Sequence, residues 1–435
     1  MTTEPVQKLV SRLAAPSIVI MLVMSMYNVA DTFFVSSLGT SATAAVGIVF
    51  SLLNIIQAAG FFFGQGGGNF MSRALGAKDQ EKAERMASTA FFTALLIGVL
   101  FAILGTIFLA PIAKLLGSTP TIMPFAVDYM RITVLATPFM MVSYVLNTML
   151  RYQGRAIDGM VGMVAGAIIN TALDPLFIFV FDMGILGAGL ATFVGQMVGF
   201  GLLLFYCSRG ENIRIRLRNF TPKAFFYKEM FRGGSPSLLR QSIASVSSIL
   251  LNTVAGGFGD AAVAAISISN RIAAMVYSVM IGTGQGFQPV CGFNYGAKFF
   301  DRVKKAYWFT ILITFLFLIA SSVVIFFFAP EIVAIFRADD PEVIKIGTLA
   351  LRAQALSLPL NAIIMISNMM MQTIGKVIPA SILAISRQGL FLIPVLYILV
   401  YFFGLTGVQI CTPVADACAF LLTIPLARKV LKDMK

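Results

Sequence analysis

The sequence predicts an all-α integral membrane protein with twelve transmembrane helices, arranged as two pseudo-symmetric six-helix bundles in parallel repeat. Three observations carry that expectation: the composition, the recurrence of long apolar runs, and an internal repeat at fixed offset. Over 435 positions, 58% of residues are hydrophobic and 12% charged, more apolar surface than a water-soluble globule encloses. A hydrocarbon layer of roughly 30 Å takes about 20 apolar residues per helical crossing. A spanning barrel shows alternating apolar and polar residues, whereas the segments from Phe91 to Ala110 and from Ile311 to Ala329 are apolar on every face.

Apolar runs between charged or Gly/Pro-rich breaks place the first six spans near Leu13–Ser36, Gly47–Met71, Met86–Ala110, Met123–Leu150, Gly159–Phe181 and Leu186–Cys207. The second six fall near Gly233–Ala255, Val263–Val290, Ala306–Phe328, Val343–Met371, Ile378–Phe403 and Val408–Val430. The domain expectation is an N-terminal lobe over 1–208, a basic linker over 209–231 and a C-terminal lobe over 232–435.

Lys and Arg are retained on the cytoplasmic side of short loops. One of the two alternating sets of polar segments holds 24 of the 32 basic residues. It includes Lys8, Arg12, Arg73, Lys78, Lys298, Arg302, Lys376, Arg428, Lys435 and the linker residues Arg209 to Arg232. Both termini are therefore expected in the cytoplasm, the chain being multi-pass in the cell (inner, cytoplasmic) membrane. The net charge of +13 reads as a basic rim against anionic membrane lipid. No nucleic-acid partner is expected, since no basic and aromatic surface motif stands out.

Sliding the sequence on itself by 220 positions aligns the halves from Arg12 to Lys78 without a gap. Arg12, Pro16 and Ser17 meet Arg232, Pro236 and Ser237. Gly64-Gln65-Gly66 meets Gly284-Gln285-Gly286, and Gly76-Ala77-Lys78 meets Gly296-Ala297-Lys298. After one inserted residue, Arg131, Pro138, Asn147 and Gly154 pair with Arg352, Pro359, Asn368 and Gly375. Paired GQG and GAK motifs at one spacing mark a duplication. Six crossings per copy give both copies the same orientation, with substrate expected between halves that rock to alternate access.

Several classes of chemistry lack their residues. The chain has no His, and its four cysteines, Cys207, Cys291, Cys411 and Cys418, are scattered, so no metal-ligand spacing exists. Gly375-Lys376 is followed by Val377, which is not a phosphate-binding loop. The N-terminal MTTEPVQKLV lacks the features of a signal peptide. A membrane-embedded hydrolase needs a nucleophile with a base at suitable spacing, and none is visible. No enzyme and no cofactor are expected, and transport must run on an ion gradient.

Ionisable groups within the hydrocarbon are costly and commonly serve ion pathways. Asp31 lies in the first span within YNVADTF and Asp174 in the fifth within NTALDP, with Asn170 one helical turn before it and Pro175 loosening the backbone after it. Two carboxylates close together hold a shared proton or cation more readily than either alone. Asp416 in the last span has Arg387 and Arg240 at similar depth and is read as part of a structural ion pair. Arg271 lies in the eighth span or at its outer mouth. Met and Tyr clusters offer substrate-cavity candidates: Met24, Tyr27, Met140, Tyr144, Met275 and Tyr277, together with Gln65 and Gln285. Flexible thioethers and aromatic faces accept varied flat cations, although packing is the commoner role. Gly64 to Gly68 reads as close helix packing or a hinge.

With the duplicated layout, the segment from Tyr27 to Gly47, the paired GQG motifs and NTALDP, the chain resembles the multidrug and toxic compound extrusion (MATE) family, in its bacterial drug and Na+ or H+ antiporter branch. The resemblance implies a monovalent cation site in the N-terminal lobe at Asp31, Asn170, Asp174 and Thr192, with H+ or Na+ as the coupling ion and Na+ held at Asp31 and Asp174. It implies antiport of organic, mostly cationic or amphipathic compounds by a monomer. Another branch uses acidic residues in the seventh and tenth spans, and this chain has none in their apolar parts. The alternative within the superfamily is a lipid-linked oligosaccharide flippase, which usually prefers a strongly cationic central cavity that only a few arginines here could supply. The copies are unequal: the positions matching Asp31 and Asp174 hold Leu251 and an apolar stretch around Val395.

Overall fold

The computed structural model describes residues 1–209, 213–336 and 340–434, the side chain of Asn28 excepted. Residues 210–212 of the expected linker and Lys435 of the basic set lie outside the described residues. The first half runs through α1 (Val6–Ser36), α2 (Thr40–Gly76), α3 (Gln80–Ile107), α4 (Leu109–Leu115), α5 (Met123–Thr133), α6 (Thr137–Tyr152), α7 (Ala156–Pro175) and α8 (Gly184–Ser208). The second runs through α9 (Ala224–Gly256), α10 (Asp260–Gly296), α11 (Phe300–Phe327), α12 (Ala329–Phe336), α13 (Pro341–Ser357), α14 (Leu360–Thr373), α15 (Val377–Ile385), α16 (Leu392–Phe403) and α17 (Leu405–Asp433). Among the described residues there is no strand.

Among the described residues, ten helical stretches are long and apolar enough to cross a membrane, and α13 with α14, bent by 56°, makes an eleventh. The twelfth is α9, whose 33 residues reach about 50 Å at 1.5 Å per residue. Arg240, Gln241 and a run of serines make it the least apolar of the set. Side chains such as Leu312 (54% exposed), Leu316 (56%) and Ile249 (66%) stand outward. An apolar surface of that extent needs lipid to cover it.

Two expected spans are broken. The stretch near Met123–Leu150 divides at a 3-10 turn over Val134–Ala136, because Pro138 enters the first turn of α6 without an N–H to donate. The stretch near Val343–Met371 bends between α13 and α14, where Pro359 does the same ahead of Leu360. The short α4 and α12, unforeseen from hydropathy, recur at the 220-residue offset.

The duplication is written into the backbone as well. Gly39 (φ 110) and Gly259 (φ 107) precede α2 and α10, with ψ 171 and 168, a region that only glycine occupies without strain. Lys78 (φ 62) and Lys298 (φ 60) end the same two helices in the left-handed conformation. After Lys78, Asp79 caps α3, accepting from the Lys82 amide at 3.0 Å and from Lys82 Nζ at 2.7 Å. Those bonds from Lys82 hold its carboxyl below the usual carboxylate range.

The chain divides into two compact units. The first spans Ala15–Gly234 together with Met1, and it takes in the first turns of α9. There Arg73 pairs with Glu229 at 3.0 Å, and a Cβ at Gly66 would lie 2.2 Å from the Met230 carbonyl oxygen. The second comprises Ser235–Lys435 and the segment Thr2–Ala14. There Arg302 donates to the Glu4 carbonyl, and a Cβ at Gly286 would lie 2.4 Å from the Ala14 backbone. The second glycine of each GQG motif is thus where a neighbouring helix start comes closest.

Candidate functional site

In the first unit, α7 and α8 approach through glycines: a Cβ on Gly195 would stand 2.7 Å from the Gly166 carbonyl and 2.8 Å from the Asn170 Cβ. That close approach lets Asn170 Nδ2 donate to Thr192 Oγ1 at 3.0 Å. Asp174 lies one turn beyond Asn170, on the same face of α7. Pro175 ends the regular helix, and a wide π-helical turn over Leu176–Val180 follows. Asp31 comes from α1, and Tyr129 Oη donates to its Oδ2 at 3.4 Å. Asp31 is close enough to act on Asp174 as a like charge.

The cluster is dry. Asp31 is 6% exposed, Asn170 2%, Asp174 0% and Thr192 1%. Among the described residues, Asp31 Oδ1, Asn170 Oδ1 and both carboxylate oxygens of Asp174 have no hydrogen-bond partner. Buried polar oxygens are nearly always satisfied, and four acceptors of this kind on Asp31, Asn170 and Asp174 could take up a proton or a bare cation. Oxygen donors of this type suit hard cations. Among the described residues no group of three or more His, Cys, Asp or Glu gathers in metal-binding fashion; here an amide and a hydroxyl complete the set.

Tyr27 and Met24 line a small cavity together with Asn170, and Tyr27 lies within electrostatic reach of Asp31 and Asp174. Tyr129 was not foreseen: a tyrosine near the end of a span carries no motif. The other substrate-cavity candidates scatter. Met140 is buried in the core, Tyr144 accepts from Gln57 Nε2 at 2.8 Å, and Gln65 accepts from Tyr152 at 3.1 Å. Gln285 is buried, and Met275 is 47% exposed on α10. Arg271 is exposed on the same helix.

The second unit holds a different polar centre. Asp416 on α17, fully buried, meets Arg387 Nε at 2.7 Å, and accepts from Ser357 at 2.7 Å and Asn361 at 2.9 Å. Arg387 sits in a π-helical stretch over Ser386–Phe391, lies 4.3 Å over the Tyr277 ring and also donates to its hydroxyl. Of the two arginines considered for Asp416, Arg240 takes no part: its Nη1 donates to Asn368 Oδ1 at 2.9 Å. With Asp416 occupied by an arginine and two donors, this centre offers no free carboxylate to a cation.

These features have counterparts in known proteins. The sequence model of the MatE family matches residues 16–176 and 236–398, one match in each half. The chain is 29% identical over 420 residues to the multidrug export protein MepA of Staphylococcus haemolyticus, covering 95% of this chain and 92% of that one. It is 27% identical over 431 residues to MepA of Staphylococcus aureus, covering 98% and 95%. A crystal structure of MATE in complex with MaL6 superposes with a TM-score of 0.94 at 28% identity, covering 99% of this chain and 97% of that one. A MOP superfamily transporter from Pyrococcus furiosus, described as having a binding pocket of reverse polarity, superposes at 0.93 with 28% identity and the same coverage. A duplicated helical membrane fold, matched by one family across both of its halves, places this chain in the MatE family of transporters.

Proposed function

We propose that this protein is a cation-coupled antiporter that exports organic, mostly cationic or amphipathic compounds, with H+ or Na+ taken up at Asp31, Asn170, Asp174 and Thr192. The observation that carries the reading is the set of four buried oxygens on Asp31, Asn170 and Asp174 that have no hydrogen-bond partner among the described residues. Two carboxylates buried in a membrane interior are costly while ionised and unmatched, and an entering cation relieves that cost. The bound and empty states of the cluster therefore differ in free energy, as a coupling site requires. The multidrug export named for the staphylococcal relatives supports organic compounds as cargo. The basic segments support cytoplasmic termini.

The test is dye efflux from proteoliposomes with proton and sodium gradients imposed separately. Asp31→Asn and Asp174→Asn should each lower gradient-driven efflux by about tenfold or more, the loss of one charge-assisted contact, while dye binding persists. Native efflux by Asp31→Asn under an imposed gradient overturns the assignment. Dependence on Na+ at clamped pH identifies sodium as the ion; dependence on the pH gradient alone identifies the proton.

A further inference from the structure

We propose that the second unit contains a binding cavity for a small aromatic carboxylate, with Arg240 and Arg387 taking the charge and an apolar wall taking the ring. This goes beyond the export reading and rests on different residues. The cavity, of ≈ 200 Å³, is lined by both arginines and by Met280, Ile364, Met365 and Leu383, and no acidic residue lines it. Asp416, on a neighbouring cavity, already neutralises Arg387 at 2.7 Å. Arg240 has no such partner: none of the ion pairs among the described residues includes it.

Its one hydrogen-bond acceptor among the described residues is the neutral Asn368 Oδ1 at 2.9 Å. That amide is held in place because Asn368 Nδ2 donates to the Ala380 carbonyl at 2.6 Å. A guanidinium carries several N–H donors in a planar fork, so most of the donors of Arg240 have no acceptor among the described residues. A cation inside a helix bundle without a counter-charge is costly, and a ligand carboxylate supplies the missing charge with fork-like geometry. Two arginines against one Asp416 leave a single positive charge, which a monoanion balances. The volume is below the roughly 300–1,000 Å³ of drug-sized sites, which favours a single-ring acid.

Equilibrium binding of radiolabelled benzoate to the full chain in phosphatidylcholine nanodiscs tests this, with benzamide as the uncharged isostere. Saturable benzoate binding is expected, with benzamide and the Arg240→Gln variant each weaker by about tenfold or more. Arg240→Lys, which keeps the charge, should retain more affinity than Arg240→Gln. Asp31→Asn should bind benzoate as the native chain does, which separates this site from the coupling site. An unliganded melting temperature equal to that of the native protein establishes that Arg240→Gln is folded. Absence of saturable binding, equal affinity for benzamide, or native affinity in a folded Arg240→Gln overturns the proposal. Loss of benzoate binding when phosphatidylglycerol replaces phosphatidylcholine assigns the counter-charge to a lipid headgroup and likewise overturns it.

Discussion

Replacing Arg387 by glutamine removes one member of the ion pair in the second unit and leaves the other behind. Asp416 is fully buried, whereas the Arg387 side chain is 18% exposed. Deleting one partner of a buried pair costs about 3–5 kcal/mol. Asp416 keeps its bonds from Ser357 and Asn361, so the pair itself contributes near the bottom of that range. Loss of the cation–π contact with Tyr277, at 4.3 Å, adds about 0.5–1 kcal/mol. The expected total is about 3–4 kcal/mol, a fall of roughly 6–16 °C at about 2–4 °C per kcal/mol for a unit of this size. Arg387→Gln with Asp416→Asn removes both charges and should cost about 2–3 kcal/mol less than the two single changes added together. Cys207, Cys291 and Cys411 are buried, so a thiol-reactive fluorophore reports unfolding, read at one fixed scan rate because the transition need not be reversible. An Arg387→Gln protein melting within a degree or two of native, or strict additivity in the double variant, refutes the reasoning.

Three other perturbations have defined outcomes. Gly66→Ala places a methyl 2.2 Å from the Met230 carbonyl oxygen, a backbone atom that cannot swing aside, and should destabilise by about 1–3 kcal/mol in the same melting assay; a neutral result contradicts the packing. Gly195→Ala forces α7 from α8 at Asn170 and should lower the melting temperature while also weakening gradient-driven efflux, whereas Gly201→Ala, with open space around its Cβ position, should change neither. Asp79 has its carboxyl depressed by Lys82, so its cap on α3 is present above the unfolded carboxylate value and is lost as pH falls through the lower folded value. Hydrogen exchange at the Lys82 amide, corrected for intrinsic rate, should show protection falling with acid in the native chain and no such dependence in Asp79→Asn.

The twelve-helix layout was legible because lipid imposes a single length and polarity on every crossing, and because the 220-residue repeat preserves turn glycines such as Gly39 and Gly259. Local bends were less legible: Pro138 and Pro359 are plain in the sequence, but hydropathy alone treats α5–α6 and α13–α14 as continuous. The spacing of Asn170 and Asp174 put both on one face; in the structure Asn170 donates to Thr192, and Asp31 lies within electrostatic reach of Asp174. Tyr129 joins through the packing of α5, which no local pattern encodes. For Asp416, depth along the membrane did not distinguish Arg240 from Arg387. The difference arises because Asn368, fixed by the Ala380 carbonyl, takes Arg240 first.

The placement of Thr2–Ala14 in the second unit has a consequence for biosynthesis. The carbonyl of Glu4 waits for a guanidinium 298 positions later in the chain. At about 5–20 residues per second, the ribosome takes on the order of 15–60 s to deliver that partner. During that interval the earliest residues made are among the last to find their contacts, so the first six-helix unit inserts with its leading end still unplaced. A chain split between the halves would inherit the same obligation in trans, and the two fragments would have to be made together to assemble.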